Sequence, residues 1–275
     1  MKIDAHNHFW QYDPVKHSWI NENMPVLKKD FLPKDLYPLM ELNKIEGCVA
    51  IQADENDQEN VFLLQLAVDN NFIRGLVGWI DMMAHDAEER MQYYSQFKSM
   101  KGFRYVLQDK TERALMLHPV FKRNLALFQQ YGFTYDLLIF KDQLGFSKTL
   151  VQQFPQQKFV LNHLGKPEIK AEKIQDWNKA IATIAKNQNI YCKLSGMVTE
   201  ADWDKNTYQD FIPYMETILE NFGSKRIMYG SDWPVCLLAA DYKNVFNIVA
   251  QFISSLSDNE QKDILGNNAI NFYNL

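Results

Sequence analysis

The chain opens Met1-Lys2-Ile3-Asp4-Ala5-His6-Asn7-His8-Phe9-Trp10, and two imidazoles spaced by one residue are the part of it most suited to chemistry. In an extended strand side chains alternate faces, so Asp4, His6 and His8 are expected on one side and Ile3, Ala5 and Asn7 on the other. The paired imidazoles then converge, and imidazole is the side chain that exchanges protons near neutral pH and ligates metals. A strand with an apolar face and an Asp-His-His face gives its polar groups no packing reason to be there.

More such groups recur at intervals. Arg104 follows Gly102-Phe103, and Asn162-His163-Leu164-Gly165-Lys166-Pro167 carries a third histidine. Lys193 lies within Cys192-Lys193-Leu194-Ser195-Gly196, and Tyr229-Gly230-Ser231-Asp232-Trp233-Pro234 carries an aspartate. Taken singly, each reads as a capping, turn or structural residue. Their common position, at the end of an apolar β-branched run, is what requires an explanation.

Those runs are Ile3 to His8, Cys48 to Ala53, Gly75 to Ile80, Gly102 to Leu107, Thr134 to Ile139, Phe159 to His163, Ile190 to Leu194 and Ile227 to Tyr229. Between them lie stretches with helical spacing, such as Val61, Leu64, Ala67 and Val68, or Phe121, Leu125, Leu127 and Phe128. Strands alternating with helices pair in parallel through right-handed crossovers. Eight repeats in about 230 residues fit a closed (β/α)8 barrel, an α/β TIM barrel, better than an open sheet. Asp258 to Phe272 reads as an extra C-terminal helix. No linker or low-complexity tract divides the chain, so residues 1–275 are expected to form one domain. In such a barrel catalytic groups gather where strands end, and the polar residues named above stand there. The longest connection without regular structure, Gln11 to Pro33, follows the first strand and is expected to serve binding.

Composition agrees with an enzyme of this kind. The 275 residues are 47% hydrophobic and 23% charged, and 29 Lys plus Arg against 34 Asp plus Glu leave a net charge of −5 with no basic stripe. That balance argues against nucleic-acid binding. Cys48, Cys192 and Cys236 form no CxxC pair and no disulfide framework, which suits a reducing cytoplasm. No run is long and apolar enough to span a membrane. Homo-oligomerisation is left open.

Together, the opening Ile-Asp-Ala-His-Asn-His-Phe-Trp and the three segments around His163, Lys193 and Asp232 resemble the amidohydrolase superfamily. Within it they resemble the branch of sugar-lactone hydrolases, fuconolactonase- and rhamnonolactonase-like. The resemblance implies catalytic roles for His6, His8, His163 and Asp232, the last handling the hydrolytic water, and substrate contacts for Arg104 and Lys193. Metal-rich members carry a lysine or glutamate ligand on the fourth strand and a histidine on the fifth. Here those strands read Gly102-Phe103-Arg104 and Thr134-Tyr135-Asp136-Leu137, which argues against a two-metal site. One divalent cation such as zinc, held by His6, His8 and Asp232 with or without His163, is the cofactor implied, and metal-independent catalysis remains open.

The chemistry expected is opening of a small sugar lactone by a water that Asp232 activates. Trp10, Trp19 and Trp233 near the mouth suit stacking on a sugar face. The alternative on the same barrel is metal-assisted, non-oxidative decarboxylation of an unsaturated or aromatic acid. Asp136 reads as an inward polar group or a partner for Arg104, and His17, His85 and His118 as solvated or capping. The acidic run Asp54, Glu55, Asp57 and Glu59 reads as a solvated helix start.

Overall fold

The computed structural model describes residues 1–275. Eight strands, β1 (Ile3–Asn7), β2 (Gly47–Ile51), β3 (Ile73–Gly78), β4 (Met100–Val106), β5 (Thr134–Leu138), β6 (Phe159–Leu161), β7 (Ile190–Leu194) and β8 (Ile227–Tyr229), lie in chain order in one parallel sheet with helices between them. This is the (β/α)8 barrel that the alternating pattern requires. No helix is long and apolar enough to cross a membrane.

Each strand sends alternate residues to opposite sides. Cys48, Ala50, Phe159, Leu161, Ile227 and Tyr229 join the large apolar core with the surrounding helices. Ile3, Ala5, Val49, Ile51, Val77, Val160 and Met228 fill the barrel interior instead. Its lower opening is closed by Ala269, Phe272 and Tyr273 of the C-terminal segment. That segment is not the single helix expected. It runs as a helix Asp258–Lys262, a π turn Asp263–Asn267 and a helix Asn268–Tyr273. At its middle Gly266 passes the chain start so closely that an added Cβ would meet the Met1 carbonyl oxygen at 2.0 Å.

The barrel closes between β8 and β1 through a few local contacts. Asp232 N donates to the His6 carbonyl at 2.8 Å and His8 N to the Trp233 carbonyl at 2.7 Å. The Asp4 carboxylate accepts from Ser231 N, the Ser231 hydroxyl and the Tyr242 hydroxyl at 2.9, 2.6 and 3.1 Å. Asp4 therefore points outward, and the simple alternation expected for β1 is corrected. Asp4 pairs with Cys48 but Asn7 with Ala50, so β1 holds one residue more than β2 over this stretch. This bulge lets Ala5 and then His6 both face inward, which re-aims the imidazoles and returns Asn7 outward.

Two further expectations are corrected. The helix Asp57–Asp69 exists, but it buries Asn60 and Leu63, while Val61 and Val68 face solvent. The sixth strand stops at Leu161, and His163 sits in a tight turn, Asn162–Gly165, not in the strand.

Candidate active site

Four side chains from three distant stretches of the sequence meet at the upper end of the barrel. His6 Nε2 and His8 Nε2 lie 3.2 Å apart. Asp232 Oδ1 stands 3.6 Å from His6 Nε2, 3.4 Å from His8 Nε2 and 3.8 Å from His163 Nε2. All four are buried.

Their placement demands unusual backbone. His163, Leu164 and Asp232 have φ of 53°, 56° and 59°, the left-handed region that non-glycine residues seldom occupy. Such conformations persist only when the surroundings over-determine them, and they cluster at functional sites. Gly196 lies against His163, and a Cβ there would fall 2.4 Å from His163 Nδ1. Only glycine permits that approach.

Each imidazole is oriented from behind. His8 Nδ1 lies 2.9 Å from the Ile51 carbonyl oxygen, which can only accept, so His8 donates there. His163 Nδ1 lies 2.9 Å from the Ser195 hydroxyl. With the Asp232 carboxylate facing Nε2, the favourable arrangement has Ser195 donating to Nδ1 and the His163 N–H aimed into the cavity. His6 Nδ1 faces the Lys193 ammonium at 3.4 Å.

Burial lowers the pKa of all three histidines: that of His6 well below the ordinary value, that of His8 below it, and that of His163 to about 3. They are neutral at physiological pH. For Asp232 burial acts upward, but the His163 N–H and the Lys166 ammonium outweigh it and hold the carboxyl below its ordinary value. The site is thus one carboxylate among three neutral imidazoles. Burial likewise brings the Arg104 guanidinium down to about 10, leaving it charged.

Above these groups opens a cavity of about 440 Å³. His8, His163, Asp232 and Arg104 line its floor, and the connection after β1 supplies Lys16, Ser18, Trp19 and Met24. Arg104 is fixed there by Gln52, donating from Nε to the side-chain oxygen at 2.7 Å and from Nη2 to the backbone carbonyl at 2.6 Å. Lys166 and Glu200 form an ion pair of 3.4 Å on the wall near Trp203.

Several expectations change. Lys193 does not reach the cavity: it is fully buried beneath His6 and paired with Asp136 at 2.6 Å. Asp136 therefore serves Lys193 and not Arg104. Trp10 and Trp233 are buried as well. Trp10 donates to the Lys29 carbonyl and packs edge-on against Trp19 at 5.7 Å, and Trp233 packs edge-on against Phe31 at 5.3 Å. Of the three tryptophans only Trp19 lines the cavity. His118 caps the helix Pro119–Ala126 by accepting from Val120 N, and His85 is exposed, but His17 is buried beside Trp10. The acidic run is not solvated throughout, since Asp54 and Glu55 line the cavity and Glu59 is buried.

Gln52, Ser195, Lys166, Glu200 and Trp203 were not singled out by sequence. The first three directly follow β2, β7 and His163-Leu164-Gly165, so strand ends were the available signal. Nothing in the sequence marks Glu200 or Trp203.

A family sequence profile described as amidohydrolase matches residues 3–275. The chain belongs to the amidohydrolase family. It is 37% identical to an L-fucono-1,5-lactonase of Burkholderia multivorans over all of this chain and 96% of that one. A crystal structure of an amidohydrolase from Burkholderia multivorans with bound zinc superimposes with a TM-score of 0.97 at 36% identity, covering 100% and 99% of the two chains. An L-rhamnono-gamma-lactonase of Scheffersomyces stipitis is 28% identical over 66% of this chain and 61% of its own.

Whether His6, His8 and Asp232 suit a zinc ion depends on spacing and on donor chemistry. Their mutual spacings of 3.2–3.6 Å suit an ion about 2.0–2.1 Å from each. A ligating imidazole usually also places its other N–H on an acceptor, which strengthens the binding. His8 meets this through Ile51, but His6 Nδ1 faces an ammonium. By spacing and donor type His6, His8 and Asp232 fit one divalent cation, which when bound would polarise the substrate carbonyl or acidify a water; no step below is routed through it.

Proposed function

We propose that this amidohydrolase opens a small sugar lactone of the L-fuconolactone or L-rhamnonolactone class, by attack of water on the ring carbonyl. The observation that carries the reading is the Asp232 carboxylate within 3.4–3.8 Å of three imidazoles on the floor of a cavity of about 440 Å³.

Asp232, ionised and within reach of a water on the cavity floor, takes one proton as the water oxygen bonds to the carbonyl carbon. Negative charge then collects on the former carbonyl oxygen. The His163 N–H and the Arg104 guanidinium are the donors placed to receive it, the kind of stabilisation that contributes most in acyl transfer. As the tetrahedral intermediate collapses, the carbon–oxygen ring bond breaks and Asp232 returns its proton to the departing ring oxygen. Trp19 offers an aromatic face to the sugar ring, and the Lys166–Glu200 pair offers charged groups to its hydroxyls.

The charge of the cavity favours this substrate class over an acid. Its lining carries Asp54, Glu55, Asp109, Glu200 and Asp232 against Lys16, Arg104 and Lys166. Five acids minus three bases leave −2 with the histidines neutral, which accepts a neutral lactone and repels the anionic product. Decarboxylation would require an anionic substrate to enter the same cavity. It would also need a proton for carbon, and Asp232 is held in the ionised form. The three buried, unpaired cysteines suit a cytoplasmic setting.

A panel of aldonolactones and unsaturated or aromatic acids, followed by a pH indicator and by CO2 release, tests the reading. Acid release from L-fuconolactone or a close relative is expected. CO2 from an acid with no lactone turnover would replace this function with the decarboxylase.

A further inference from the structure

Glu59 is a buried acid that takes no part in the lactone chemistry above. It holds the third position of the helix Asp57–Asp69, whose N-cap Asn56 accepts from Glu59 N at 3.0 Å. A glutamate at that position ordinarily reaches back to the backbone N–H of the cap residue itself. This one reaches three residues further and accepts from Ala53 N at 2.7 Å. Burial pushes its carboxyl up to about 7, so its charge costs the fold stability instead of adding to it.

The Ala53 N–H and the Gln52 carbonyl belong to one peptide unit, which is planar and rigid. That carbonyl oxygen accepts from Arg104 Nη2 at 2.6 Å. The Gln52 side-chain oxygen accepts from Arg104 Nε at 2.7 Å and also from Nη2. Apart from Nη1, which stands 3.5 Å from His6 Nε2, every hydrogen bond of the Arg104 guanidinium ends on Gln52. An anion therefore stands at the N–H end of this peptide and a cation at its carbonyl end, the orientation in which the peptide dipole attracts both. Turning the peptide away from Glu59 would carry its carbonyl away from Arg104. The Gln52 side chain is tied to the same turn, its amide donating to the Asp54 carbonyl oxygen at 3.2 Å.

We propose that Glu59 is a positioning residue, which through the Gln52–Ala53 peptide fixes the Arg104 guanidinium on the cavity floor. The placement stands on these contacts, and only the use of Arg104 as an oxyanion donor rests on lactone hydrolysis.

A 1H–15N correlation of the arginine Nε–H groups in the labelled full chain, at pH 8 where Glu59 is ionised, reads the position of Arg104 without substrate. The signal is assigned from Arg104→Lys. In Glu59→Met it is expected to shift or broaden, and in Glu59→Gln, whose side-chain oxygen still accepts from Ala53 N, to return close to its original place. Glu59→Asp, one methylene too short to reach Ala53 N, is expected to give the Met result should Glu59→Met fail to fold. Turnover of L-fuconolactone supplies a second readout. Glu59→Met is expected to lower kcat by about 10- to 100-fold, the scale of a displaced catalytic group, and Glu59→Gln to recover most of that loss. An Arg104 signal that stays in place in the folded Met or Asp variant overturns the proposal. An Arg104 signal that moves in an unaltered background inactive on lactones would uphold the positioning and remove the proposed function.

Discussion

The two halves of the barrel interior are built on opposite rules. The lower half is filled by Ile3, Ala5, Val49, Val77, Val160 and Met228 and closed by Phe272, all buried and apolar. The upper half holds His6, His8, His163, Asp232 and Arg104, buried as thoroughly but polar. Burying apolar surface stabilises the fold, whereas burying polar groups costs free energy unless each finds a partner. The upper groups do find partners in Ile51, Ser195 and Gln52. The difference teaches that stability is drawn from one end of the strands and chemistry placed at the other, with the Lys193–Asp136 pair at the boundary.

Substitutions in the two halves should therefore separate activity from stability. After Asp232 itself, the largest effect is expected at His163. His163→Asn removes the N–H proposed as an oxyanion donor and should lower kcat by about 10²- to 10³-fold, with the melting transition little changed; steady-state kinetics and calorimetry check both. Met228→Ala, in the lower half, should do the reverse. It should cost about 2–4 kcal/mol in denaturant unfolding through lost burial and a residual cavity, with kcat within a few-fold of the original. A Met228 variant that loses activity while keeping its stability would dissolve the division.

Glu59 sharpens the comparison from outside the barrel. Burial pushes its carboxyl up to about 7 from an ordinary 4.5. The charged form is disfavoured in the folded protein, so the penalty is absent below about pH 4.5 and grows as pH rises through about 7. Glu59→Gln should remove it, stabilising the protein by roughly 3 kcal/mol at pH 8 and hardly at all at pH 4.5. Equal effects at both pH values in urea unfolding would contradict the assignment. The smallest effect is expected at the cavity mouth. Trp19→Ala should raise KM about tenfold, the scale of a lost aromatic contact, and leave kcat nearly intact.

What was legible in the sequence follows the same division. Strand cores announce themselves by apolar, β-branched runs, so all eight strands were found within a few residues of their ends. His6, His8, His163 and Asp232 were legible because histidines and aspartate after such runs have no packing reason to be there. The β1 bulge was not legible: one extra residue changes which side chains face inward without changing composition, and it sent Asp4 outward to Ser231 and Tyr242. Trp10 and Trp233 were misplaced because a tryptophan beside a catalytic motif reads the same whether it touches substrate or supports the residue that does. Lys193 was found as a strand-end cation, but its partner Asp136 comes from an element far away in sequence. Only the closed barrel brings them together. Glu59 reads as a helix-start acid, and nothing local says that it is buried.

The central claim is that the Asp232 carboxylate, ionised among neutral imidazoles, moves the proton of the attacking water. Turnover of L-fuconolactone by Asp232→Asn, followed with a pH indicator beside the unaltered protein, tests it most directly. A fall in kcat of about 10²- to 10⁴-fold with an unchanged circular dichroism spectrum is the expected result. A rate close to that of the unaltered protein would remove Asp232 from the mechanism.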